Sequence, residues 1–98
     1  MDGKGLEVMN RIAQNMPVDK LKTIRTSTYL GEIYIAYGRG PDEEGNDVWR
    51  GMWVLDQIEG FDEIAKCGIE LNGNLKEKQA KQVFFDSAWE AARVFRCQ

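Results

Sequence analysis

Ile33-Tyr34-Ile35-Ala36-Tyr37 and Val48-Trp49-Arg50-Gly51-Met52-Trp53-Val54-Leu55 are the two stretches on which the fold turns. Both are short and crowded with β-branched and aromatic side chains, which fit a pleated, half-buried surface better than a helix. Gly31 precedes the first as a kink or turn, and the breaker clusters Gly38-Arg39-Gly40-Pro41 and Glu44-Gly45-Asn46-Asp47 lie between the two. Two strands joined by a loop of about nine residues predict an antiparallel hairpin with a long acidic tip.

Side chains alternate across a strand, so the two faces can be written down. Ile33, Ile35 and Tyr37 share one side of the first strand, and Tyr34 and Ala36 the other. Trp49, Trp53 and Leu55 share one side of the second strand, and Val48, Arg50, Met52 and Val54 the opposite one. Loop length alone does not fix the register. An odd-to-odd register, the expectation here, joins the Ile-Ile-Tyr and Trp-Trp-Leu faces as the core side. The second face carries only Arg50 as a charge, where a half-wet antiparallel sheet would turn polar. Three covers for it stand open: helices split across the sheet, a second subunit, or a bound partner.

Outward from the hairpin, Leu6, Met9, Ile12, Ala13 and Met16 recur at helical spacing until Pro17 stops or redirects the chain. Two readings of the next segment stand. Val18, Leu21 and Ile24 lie three apart, as in a short helix opening at Pro17 with Asp19 in its first turn. Lys22–Tyr29, rich in Thr and Ile, reads equally as an early strand. Beyond the hairpin, Ile58, Phe61, Ile64 and Ala65 suggest a short helix ended by Gly68, with Ile69-Glu70-Leu71 as a third, short strand.

Asn72-Gly73 is a turn signal, and Asn74 followed by Glu77 has the spacing of a capping box. A long helix is then predicted from Leu75 to Phe95, with Ala80, Phe84, Ala88, Ala91 and Phe95 as its stripe and Val83, Ser87 and Val94 on a flank. Arg93 and Arg96 suit the negative end of its dipole. Phe85 and Trp89 widen the apolar arc beyond what one sheet contact needs. The fold class is α+β: one domain over residues 1–98, an antiparallel hairpin or small sheet of two to four strands packed with an N-terminal helix and a long C-terminal helix.

A chain of 98 residues has the size of one domain, and 43% apolar with 30% charged residues is a globular composition. The polar start, Met1 to Gly5, and the lack of a long apolar run predict neither signal peptide nor membrane span, hence a cytoplasmic location. Cys67 and Cys97 fit neither a disulfide framework nor paired metal ligands, and are expected to be reduced, buried thiols. Net charge is −3, unevenly spread: residues 41–70 hold nine acids against Arg50 and Lys66. Such an acidic middle disfavours a phosphate backbone as partner.

The chain has no histidine. That removes Ser-His-Asp and Cys-His nucleophile systems, His-ligated zinc and imidazole acid–base catalysis. Asp56, Glu59, Asp62 and Glu63 are spaced like a solvated helix edge rather than a catalytic pair. Asp42, Glu44 and Asn46 alternate like the start of a calcium loop, but Gly45 comes too early and no closing Glu follows. Gly38-Arg39-Gly40 is expected to be turn chemistry, since no helix with Lys or Ser/Thr follows it. Lys20, Lys22 and Arg25, near Tyr29, form the one basic patch, read as a solvated face.

The functional expectation is therefore a non-enzymatic binding or interaction protein, a homodimer without cofactor or metal. Its contact residues are expected among Tyr34, Arg50, Met52, Trp49, Trp53 and Trp89. Its build is that of small accessory proteins of mobile elements such as phages and integron cassettes. The alternative is a small-molecule protein, its aromatic pocket set between sheet and C-terminal helix and lined by Trp49, Trp53, Phe84 and Trp89, with Arg50 or Arg39 as anchor for an anion.

Overall fold

Four strands, each beside its neighbour in the chain, make an antiparallel meander: β1 (Lys22–Thr28), β2 (Gly31–Pro41), β3 (Asp47–Gln57) and β4 (Ile64–Asn72). Helix α1 (Lys4–Ala13) precedes them and α2 (Glu77–Arg96) follows, giving the α+β architecture. This is a computed structural model, and it describes residues 4–29, 31–57 and 64–96.

The register is odd to odd. Ile33 faces Leu55, Ile35 faces Trp53 and Arg39 faces Trp49. On that side Ile33, Ile35, Tyr37, Trp49, Trp53 and Leu55 pack against Ala80, Phe84, Ala88 and Ala92 of α2. The opposite side is covered by α1: Met9 and Ala13, with Val8, Ile12 and Met16 at the margin, pack on Tyr34, Ala36, Met52 and Val54. The two helices are split across the sheet, and this explains why both strands are apolar on both faces. Gly5 brings α1 close enough that a Cβ there would stand 2.7 Å from the Tyr34 ring.

Of the two readings left open after Pro17 the strand holds: residues 22–28 pair with β2 along their Thr-rich run. Other expectations are corrected. The hairpin loop is shorter than the sequence suggested, with only residues 42–46 between β2 and β3. Gly38-Arg39-Gly40 therefore belongs to a strand rather than a turn. Its glycines serve close approach: a Cβ on Gly40 would lie 2.1 Å from the Pro17 carbonyl oxygen, and one on Gly38 would lie 2.7 Å from that of Lys20. The segment leaving α1 crosses β2 here, and the Asp19 amide donates to the Arg39 carbonyl at 2.8 Å.

Ile64 and Ala65 lie in β4, not in a helix, and pair with Leu55 and Val54. Ile58 and Phe61 fall outside the described residues. Gly68 does not end a helix; with φ +75° it sits where the β3–β4 register shifts, between Gly51 and Trp53, and supplies the left-handed residue that a bulge needs. Cys67 beside it is exposed rather than buried.

At the start of α2 the capping box is displaced. Asn72, rather than Asn74, organises the turn, its side-chain oxygen accepting from the Asn74 amide at 2.8 Å and its carbonyl from the Leu75 amide at 3.1 Å. The Lys76 amide donates to the Gln79 side-chain oxygen at 2.9 Å, the reciprocal half of a capping box two residues later. The buried stripe runs through Ala92 rather than Ala91, which leaves Val83 and Val94 exposed, and Leu6 on α1 is exposed likewise.

Candidate functional site

Edge strand β1 and the flank of α2 above it meet in an aromatic seam. Helical spacing of four stacks Phe85 on Trp89, with ring centroids 6.3 Å apart and planes within 11°. Tyr29, just past the end of β1, meets the same Trp89 edge-on at 5.8 Å and 78°. Tyr29 is 74% exposed although it belongs to this cluster. Ile24 of β1 joins Phe85 in an adjoining hollow rimmed by Lys78 and Lys81. The seam exists because α2 buries its main stripe over β2 and β3 and reaches β1 only with its second-rank side chains.

The two edges of the sheet differ. All seven residues of β1 pair with β2 without interruption. Edge strand β4 is interrupted by its bulge, a device that keeps edges from templating further strands. Cations on an edge serve the same purpose, but those of β1 are neutralised within the chain. Lys22 forms an ion pair with Glu77, and the Arg25 guanidinium donates to Glu32 at 3.0 Å. The hydrogen bond to Glu77 holds the Lys22 ammonium above its ordinary range, and the same bond holds the Glu77 carboxyl below its own.

The residues singled out from sequence are distributed as follows. Tyr34 and Met52 are buried beneath α1, and Trp53 beneath α2. The Trp53 indole N–H donates to the Ser87 hydroxyl at 3.0 Å and fastens α2 to the sheet, and that of Trp49 donates to the Leu75 carbonyl at 2.8 Å and fastens the turn that leads into α2. Arg50 donates to the carbonyls of Pro17 at 3.1 Å and Pro41 at 2.9 Å, and clasps two chain segments. Trp89 lies in the seam. Tyr29 was not among the expected contact residues; its one sequence signal is an aromatic side chain closing a run of threonines.

At the hairpin tip, the Asp42 carboxylate accepts from the amides of Glu44 at 2.9 Å and Asn46 at 2.8 Å. It holds the turn, in the manner of an Asx turn. Among the described residues no group of three or more His, Cys, Asp or Glu side chains is placed to hold a metal ion, and no helix is long and apolar enough to cross a membrane.

A second feature lies at the other end of the α2 face, where Tyr37 and Trp49 floor a cleft of ≈ 300 Å³ rimmed by charged side chains. Arg39 lies over the Trp49 ring, 5.4 Å from its centroid.

No protein-family model matches the chain, and no curated protein and no solved structure matches it.

Proposed function

We propose that this chain is a non-enzymatic interaction protein that works as a homodimer, joined along β1 and the α2 seam. The observation that carries this reading is a coincidence. The unbulged edge and the aromatic cluster of exposed Tyr29 with half-buried Phe85 and Trp89 lie on the same side of the molecule. An open edge offers a row of backbone donors and acceptors, and an aromatic cluster beside it offers apolar area.

A second copy is the occupant that fits. Because Lys22 and Arg25 are paired within the chain, two identical β1 strands can approach without uncompensated like charge. Antiparallel pairing about a two-fold axis extends the sheet across both copies and brings the two seams together, with Thr and Ile side chains as cross-strand neighbours.

The test is molar mass in solution by light scattering at high micromolar protein. The expected result is twice the chain mass of 11.2 kDa, reduced to the chain mass by Tyr29→Asp with an unchanged circular dichroism spectrum. A wild type that stays at the chain mass overturns the reading.

A further inference from the structure

The cleft floored by Tyr37 and Trp49 is separate from the seam and carries an inference of its own. Its ≈ 300 Å³ is at the small end of ligand pockets, which run from about 300 to 1,000 Å³, and suits a molecule of amino-acid size. Tyr37 is only 2% exposed, yet it lines the cleft, and among the described residues its hydroxyl has no hydrogen-bond partner. A buried phenol without a partner forfeits the free energy of the bond it made to water. Burial also holds this phenol above its ordinary range, so near neutral pH it keeps its proton and can donate.

The charges on the rim indicate what the hydroxyl could meet. Lys20, Lys22 and Arg39 stand there with Asp19, Asp47 and Glu77, three cations against three acids. Lys22 is committed to Glu77, whereas Arg39 donates to the Gly73 carbonyl at 3.0 Å and reaches Asp47 only at 3.9 Å. Among the described residues Lys20 and Asp19 have no ion-pair partner. A simple anion would gain Lys20 but face the acids, and a simple cation would face the reverse. A molecule carrying both signs a few bonds apart satisfies both.

We propose that this cleft binds a small zwitterion of the amino-acid class, its carboxylate taken by the Tyr37 hydroxyl and the Lys20 ammonium and its own ammonium by Asp19 and Asp47. The apolar part of the ligand lies against Trp49, beside the Arg39 guanidinium. Binding at this site involves no chemical step.

The experiment is a titration of isotope-labelled protein with each free proteinogenic amino acid, following the amide resonances of Tyr37, Gly38 and Arg39. At least one is expected to shift these three saturably. Its N-acetyl and amide derivatives are expected to bind about tenfold more weakly or worse, since each loses a charge-assisted hydrogen bond. Tyr37→Phe is expected to weaken binding about tenfold, with the rest of the spectrum unchanged. Absence of saturable shifts across the set overturns the proposal. So does equal binding of the N-acetyl derivative or of inorganic phosphate, which would make the cleft a plain anion site, and so does a Tyr37→Phe variant that binds as the wild type does. None of these outcomes bears on the oligomeric state.

Discussion

The ring of Phe84 stands directly on the backbone of Gly51: a Cβ at Gly51 would lie 2.5 Å from the ring's Cε1 atom. Helix α2 therefore sits on β3 at a point where the strand has no side chain, and the depth of that seat sets how close helix and sheet approach. Gly51→Ala is expected to cost about 1–3 kcal/mol through overpacking. Phe84→Ala is expected to cost about 3–5 kcal/mol through the cavity it leaves. Because the added methyl group occupies space the ring vacates, the double variant is expected to lose less than the sum. Urea denaturation of the four proteins checks this, and strict additivity would contradict the seat.

Much of this architecture was legible because it rests on local periodicity. The alternation in 33–37 and 48–55 placed Ile33, Ile35, Trp53 and Leu55 on one side of the sheet, and the structure has them there. The apolar second face announced that something covers it, and α1 does. What could not be read depended on distant contacts. Gly38 and Gly40 look like turn residues until Pro17 and Lys20 are seen crossing them. Trp53 looks like a binding aromatic until its indole N–H is traced to Ser87 beneath α2. The Phe85–Trp89 pair was visible as a surplus on the helix, but Tyr29 joins it only through tertiary packing. Ile64 and Ala65, two apolar residues in a row, carried no period long enough to separate strand from helix.

Ser87 matters through Trp53. Its hydroxyl accepts the indole N–H at 3.0 Å in a partly buried position. Ser87→Ala leaves that donor without its partner and is expected to cost about 1–3 kcal/mol. Trp53→Phe removes the donor instead, and Ser87→Ala added to it is expected to cost almost nothing further. Thermal denaturation of the cycle decides, and independent effects would show that the bond does not couple helix to sheet.

The Lys22–Glu77 pair ties β1 to the first turn of α2, and its pH dependence has a definite sign. Glu77 has a depressed folded pKa, so its contribution is full above the ordinary carboxyl value of 4.5 and is lost as pH falls through the lower folded value. Lys22 has a raised folded pKa, so its contribution is full below 10.5 and is lost as pH rises through the higher folded value. Both groups are exposed, so the effect is small and screened by salt. Denaturation at a series of pH values is expected to show Glu77→Gln destabilised by a constant amount across the neutral range, the difference closing below pH 4.5. A difference that persists at low pH would assign the loss to something other than charge.

Arg50 bears on how charge on the sheet is interpreted. As the one charge on an apolar face it resembles an anchor for a ligand, but its side chain is only 17% exposed and its guanidinium is occupied by the Pro17 and Pro41 carbonyls, with Glu70 at 3.7 Å. Those two carbonyls belong to segments that no strand pairing joins, the exit from α1 and the end of β2. A guanidinium offers several donors in a fixed plane, whereas an ammonium is a point donor on a flexible stem. Arg50→Lys is therefore expected to keep the charge yet lose about 1–3 kcal/mol of stability, with Arg50→Ala losing somewhat more. Amide exchange should quicken at Val18 and Asp19, because the clasp holds that segment onto β2 where Gly38 and Gly40 make room for it. If Arg50→Lys were as stable as the wild type, charge alone would suffice at this position, and the clasp would not be what holds the crossing segment down.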